Sequence, residues 1–183
     1  MVTLSNYFLP TIRILVLIGL LELIMSAVWL RFYFIIGIPL FRRTIKVTSE
    51  KMLVLSAQEL ENDLPELAWR PPLLVRNIDT MKFAFREKLL FLGFSYVPVM
   101  HGCMNYDPNK EELVISGFAN WYALLFSIFF LSLTVAFMFE SKELMFIILP
   151  IGLLLIEGNG YLTQRRRFNQ VVETVQVRLS KDK

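Results

Sequence analysis

Two stretches of this chain are almost unbroken in their apolar character, and the stretch between them is not. Residues 12–41 and 118–157 carry the hydrophobic excess, while the intervening segment mixes polar and apolar positions in ordinary proportion. Thr11–Leu30 reads TIRILVLIGLLELIMSAVWL, about 20 residues or roughly 30 Å of helix, which matches the hydrocarbon core of a bilayer. Ala119–Phe139 is a second such run and contains no charged residue. After the polar ESKE at 140–143, Leu144–Ile156 begins a third, with Pro150 as a kink of the kind neighbouring helices tolerate. Asn159 between two glycines reads as the end of that helix. FYFIIGIPLF at 32–41 is too short to span and holds Gly37 and Pro39, so an interfacial or buried segment leading out of the membrane is expected there.

Lys and Arg set the orientation. Arg42, Arg43 and Lys46 follow the first run, and Arg165, Arg166 and Arg167 follow the third; the turn between the second and third has only Lys142 beside two Glu. Three spans satisfy this with the N-terminus outside and the middle domain and tail in the cytoplasm. The first apolar run is too long for the core of a cleaved secretion signal and has no small-x-small site, which reads as a retained anchor. A bacterial inner membrane is the expected location, because no transit-peptide pattern precedes the anchor. Trp29, Tyr33, Trp121, Tyr122 and Tyr161 fall where aromatic belts form.

The predicted architecture is thus an α-helical membrane protein with about three transmembrane helices plus a small cytoplasmic α+β domain. Residues 1–41 form the anchor and interfacial segment, 42–118 the domain, 119–163 a helical hairpin and 164–183 a basic amphipathic tail. Within the domain, 46–55 suits a short strand and turn. Ser56 with Glu59 reads as a capping box opening a helix at AQELENDL, stopped before Pro65. Trp69-Arg70-Pro71-Pro72 forces extended chain. The pattern at 79–92 fits a helix or a strand equally. The strongest local signal is a β-hairpin: 91–106 and 113–117 hold Tyr96, Val97, Val99, Val114 and Ile115 about the turn chemistry of Asp107-Pro108-Asn109. In the tail, Phe168, Val171, Val172, Val175 and Leu179 recur at helical spacing, which predicts a helix docked on the domain or lying on the membrane.

Charge and composition narrow the chemistry. Hydrophobic residues make up 55% of the chain, and the net charge of +3 resides in the tail, since 42–117 balances its acidic and basic side chains. A nucleic-acid surface is not expected from that balance. With one cysteine, Cys103, and one histidine, His101, neither a disulfide nor a Cys/His zinc set can form within the chain, and no metal or cofactor is predicted. Neither GxGxxG nor GxxxxGK[ST] occurs.

A few residues invite a functional reading beside a plain one. Glu22 falls in the first apolar run, where a charge costs at least ~2.5–3.5 kcal/mol, so a partner must offset it. Ser132, Ser127 and Thr134 are the partners expected by depth. Glu22 is then either a proton- or ion-handling group or, the plainer reading, a carboxyl hydrogen-bonded to a neighbouring helix. Glu157 near the inner end of the third run suits a solvated interfacial carboxylate better than a pair with Arg31. His101 and Cys103, two apart on a predicted strand, share a face and suit packing better than a nucleophile–base pair. Arg165, Arg166 and Arg167 act as a topology signal and as contacts for anionic lipid, at roughly 1 kcal/mol each.

The order of strand, turn, strand, apolar hairpin and basic tail, carried by YVPVMHGCMNYDPNKEELVISGFANW (96–121) and RRRFNQVVE (165–173), is similar to that of several bacterial membrane proteins. It also resembles membrane-tethered pleckstrin-homology-like modules, with fewer strands. The likeness covers under half of the chain, has no diagnostic motif and assigns no site residues. The function expected is a non-enzymatic accessory or scaffold subunit that meets the lipid bilayer and a protein partner or further copies of itself. An oligomeric proton or ion path through Glu22, and an enzyme acting on lipid at the inner interface, are the alternatives.

Overall fold

The computed structural model describes residues 5–66, 70–89, 100–141 and 145–181. The first apolar run forms α1 (Ser5–Ala27), which stops where Trp29 takes a left-handed φ of 57°. α2 (Arg31–Ile35) then turns the chain toward β1 (Pro39–Lys46). Two short helices follow, α3 (Ser49–Val54) and α4 (Ala57–Asp63), and then β2 (Leu73–Asp79), β3 (Lys82–Glu87), β4 (His101–Asp107) and β5 (Glu112–Phe118). β5 runs almost directly into α5 (Trp121–Ser141), and the chain ends in α6 (Met145–Lys181).

The strands form one antiparallel sheet in the order β1-β5-β4-β3-β2. β2 to β5 are a meander, and β1 pairs with β5 to close that side. Period-two alternation puts Leu73, Val75, Phe83, Phe85, Met104, Tyr106, Leu113 and Ile115 on one face. That face is covered by Met52 and Leu60 from α3 and α4, and by Phe168, Val171, Val172, Val175 and Leu179 from the last turns of α6. A smaller cluster on the opposite face joins Met25, Tyr33, Phe34 and Ala84.

Several expectations need correction. The arginines at 42 and 43 belong to a strand: β1 is nearly all exposed and buries only Phe41, so its sequence lacks the alternation of a half-buried strand. Residues 49–54 are helical where a strand and turn were expected. Ser56 precedes α4, but its side chain makes no cap bond; Glu59 accepts instead from Arg178 of α6 at 2.6 Å. The ambiguous 79–92 segment holds β3, whose Phe83 and Phe85 alternate rather than follow a helical stripe. The hairpin has β4 and β5 as its arms, with the predicted part at 91–99 outside the described residues. α6 does not end at Asn159. It continues through both glycines, and its last turns dock on the domain, one of the two placements expected for the tail, with Phe168, Val171 and Val175 in the sheet's core.

By length and composition, Phe8–Ala27 is the one stretch among the described residues that is long and apolar enough to cross a membrane; Trp121–Phe137 is apolar but shorter. The first half of α6 leaves Ile148, Ile151, Leu154, Leu155 and Ile156 exposed.

Candidate functional site at the helix–sheet junction

A helix that starts straight from a strand begins with amide N–H groups that have no partner within the helix. α5 starts this way at Trp121, and its first turn contains no acidic residue. The acceptor comes from α1. Glu22 receives the Trp121 amide on Oε1 at 2.9 Å and the Tyr122 amide on Oε2 at 2.7 Å. The Tyr33 hydroxyl of α2 donates to Oε1 at 2.8 Å. One buried carboxyl thereby ties three helices at the point where the sheet ends, and it sits at the positive end of the α5 dipole.

The sequence around this carboxyl is shaped to let it in. A Cβ added to Gly19, one turn before Glu22, would lie 2.8 Å from the Tyr122 ring, so glycine permits the close crossing of α1 and α5. Tyr33 is stacked on His101 of β4 at 4.5 Å between ring centroids and 11° between planes, and meets Phe34 edge-on at 5.3 Å. Burial first, and then the adjacent Glu22, hold the Tyr33 phenol well above its usual value, which keeps it a hydrogen-bond donor. Behind it, the Trp29 ring stacks on Phe34 at 5.2 Å and lies under the guanidinium carbons of Arg86 at 4.6 Å and Arg76 at 5.1 Å. Those contacts fix the left-handed Trp29 residue that ends α1. Burial, followed by the neighbouring Arg76, draws the Arg86 guanidinium below its usual value.

A second buried group couples the far end of α6 to the sheet. Arg167 donates to Glu87 at 2.9 Å, to the Pro71 carbonyl at 2.6 Å and to Gln170 at 3.1 Å. Arg167 is 1% exposed and Glu87 is fully buried, so this is an interior ion pair and not a surface one. Glu87 also accepts the Met100 amide at 3.3 Å.

The predicted site residues therefore separate. Glu22 is bonded to Tyr33 and to backbone, and not to Ser127, Ser132 or Thr134. Ser132 donates to its own helix at Ile128, and it lies eleven residues beyond Trp121, about 16 Å along the axis. Glu157, exposed, accepts from the half-buried Ser127 hydroxyl across the α5–α6 contact. Arg165 and Arg166 are exposed. Arg167 was expected at the headgroups with them, and this expectation is corrected: it lies on the stripe of Val171 and Val175, which carries it into the core. His101 is buried and Cys103 partly so, both on the sheet face opposite the main core; burial pushes the Cys103 thiol up to about 11. His101 and Glu157 are not brought together.

A cleft of about 330 Å³ opens beside Glu22, between α1 and the start of α5. Its walls are mainly Val16, Leu20 and Leu23, and its inner end holds Ser26, Tyr33, His101 and Asn120. Among the described residues no group of three or more His, Cys, Asp or Glu is placed to hold a metal ion. No family model, curated protein or solved structure matches this chain.

Proposed function

We propose that this chain is an integral membrane protein in which α1, α5 and the apolar half of α6 lie in the bilayer, and that it serves as a non-enzymatic scaffold presenting the five-stranded domain to a protein partner. The observation that carries the reading is α6. It is a single helix of 37 residues whose first half exposes Ile151, Leu154 and Leu155 and whose second half places Phe168, Val171 and Val175 inside the domain. A continuous helix holds its two halves closer to one line than a flexible linker would. Together with the Glu22 joint at the opposite side it fixes the height and tilt of the sheet relative to the apolar helices.

Glu22 supports a joint over a proton relay. Its oxygens accept from two backbone amides and a phenol, and amides do not pass protons onward. The outward face available to a partner includes Leu53 and Val54 of α3, which are 73% and 59% exposed.

The test is purification from native membranes in mild detergent with a C-terminal tag. A stoichiometric protein partner, lost when Leu53 and Val54 are both replaced by Asp, is the expected result. A chain that leaves the membrane in alkaline wash, or that carries ion flux abolished by Glu22→Gln, contradicts it.

A further inference from the structure

The sheet face turned away from the main core carries a depression of about 330 Å³ that reaches from β1 to β3. Strand register puts Arg42, Ser116 and Cys103 in one row across it and Val114, Asn105 and Lys82 in the next. All six line the depression, and no acidic residue among the described ones does. Arg42 is exposed, and among the described residues nothing pairs with its guanidinium or hydrogen-bonds to the Ser116 and Asn105 side chains. Lys82 meets Asp79 only at 3.9 Å, and that carboxylate is held more closely by Arg31 at 2.6 Å. The Lys82 charge is felt inside the depression, where it opposes the effect of burial on the Cys103 thiol. Arg42 and Lys82 stand three strand spacings apart, ~14 Å at the Cα atoms, so their long side chains can close on a group of phosphate size from both sides.

One end of the depression is apolar. Ile35, Pro39 and Phe118 close it, and Phe118 ends the strand that leads into α5. Beside that end Ile36 and Ile38 are 53% and 50% exposed. We propose that the depression binds the headgroup phosphate of an anionic phospholipid, held between Arg42 and Lys82 with Ser116 and Asn105 donating, and with the acyl chains passing over Ile36 and Ile38. This rests on the reading that α1 and α5 lie in a bilayer. Two cations over neutral donors, with no acid among them, select an anion. A zwitterionic headgroup brings its own ammonium against those cations and is the weaker ligand. A free phosphate compound could use the same donors but gains nothing from the exposed isoleucines.

Cys103 reports on the site, because it is the only cysteine of the chain and lines the depression. The full chain is reconstituted in phosphatidylcholine vesicles with increasing fractions of phosphatidylglycerol, and flotation establishes that it is inserted. Alkylation of Cys103 by the neutral reagent N-ethylmaleimide is then timed. A bound phosphate covers the thiol and disfavours its thiolate, so the rate should fall as phosphatidylglycerol rises. Arg42→Gln and Lys82→Gln should each raise the fraction needed for half-protection roughly fivefold, the weight of one basic residue at an anionic surface. Rates are compared within each variant, because Lys82 also acts on the thiol directly. Arg165→Gln, at an exposed position on α6, should leave that fraction unchanged. No protection, protection that either substitution in the depression fails to move, or an equal shift from Arg165→Gln overturns the inference while leaving the membrane reading intact. Equal protection by inorganic phosphate or glycerol 3-phosphate in pure phosphatidylcholine vesicles overturns the lipid as its source. Failure to float overturns the membrane reading and this inference with it.

Discussion

Glu22 of α1 accepts the amide of Tyr122 at 2.7 Å across a separation of 100 residues. The carboxyl does for α5 what an N-cap side chain ordinarily does from the preceding residue. Because it comes from another helix, it also sets where α1 and α5 cross. Replacement by Ala strands two helix amides and the Tyr33 hydroxyl, and should lower stability by ~3 kcal/mol or more. Glu22→Gln keeps one acceptor and should lose only ~1–2 kcal/mol while preserving the assembly. Thermal unfolding in detergent checks the order, and equal effects of the two variants would contradict a capping role.

The Arg167–Glu87 pair makes a sharper energetic statement. Removing either partner alone leaves the other buried charge without its counter-ion, and Arg167→Met or Glu87→Met should each destabilise by about 3–5 kcal/mol. The double variant should recover much of that loss, since neither charge then remains. Arg165→Met and Arg166→Met, at exposed positions, should be nearly neutral. A double-mutant cycle on unfolding midpoints measures the coupling.

The glycines of the apolar helices should respond in opposite directions. A methyl at Gly19 meets the Tyr122 ring, so Gly19→Ala should cost about 1–3 kcal/mol through forced separation of α1 and α5. At Gly158 nothing lies within 4 Å of an added Cβ, and Gly158→Ala should stabilise by ~0.5–1 kcal/mol through helix propensity. A loss at Gly158 would mean that the helix ends there, as the sequence suggested.

Cys103 gives a pH-dependent signal. Burial raises its thiol to about 11, opposed by Lys82, so alkylation of the folded protein should be slow at pH 8 and rise with an inflection near 11. In the unfolded chain the thiol loses its proton near 9, so the unfolded state binds fewer protons between the two values. Stability from this group is present below pH 9 and is lost as the pH climbs toward 11. Lys82→Ala should move the alkylation inflection higher, and a downward shift would contradict the assigned environment.

The legible parts of this fold were those with a strong period or strong punctuation. The apolar runs became α1, α5 and the first half of α6, and Asp107-Pro108-Asn109 marked the turn between β4 and β5. β1 was hidden because only one of its side chains is buried, so Arg42 and Arg43 read as flanking charge. β2 followed two prolines and lacked a clean alternation. The partners of Glu22 were hidden for a different reason: two are backbone amides, which no residue type announces. Arg167 was not separable from its neighbours by spacing. It lies one helical turn before Val171, but Arg165 lies three residues before Phe168 and seven before Val172, so periodicity sets both beside the core stripe and the packing of α6 on the sheet buries only Arg167.

The central claim is that the sheet domain is held rigidly to the apolar helices. Spin labels at Leu17 on α1 and Val177 on α6, both more than half exposed, test it in lipid nanodiscs on a Cys103→Ser background. The distance distribution should be narrow in the wild-type chain and broadened by Glu22→Ala. A broad distribution in the wild type, or a narrow one that Glu22→Ala leaves unchanged, would contradict the account.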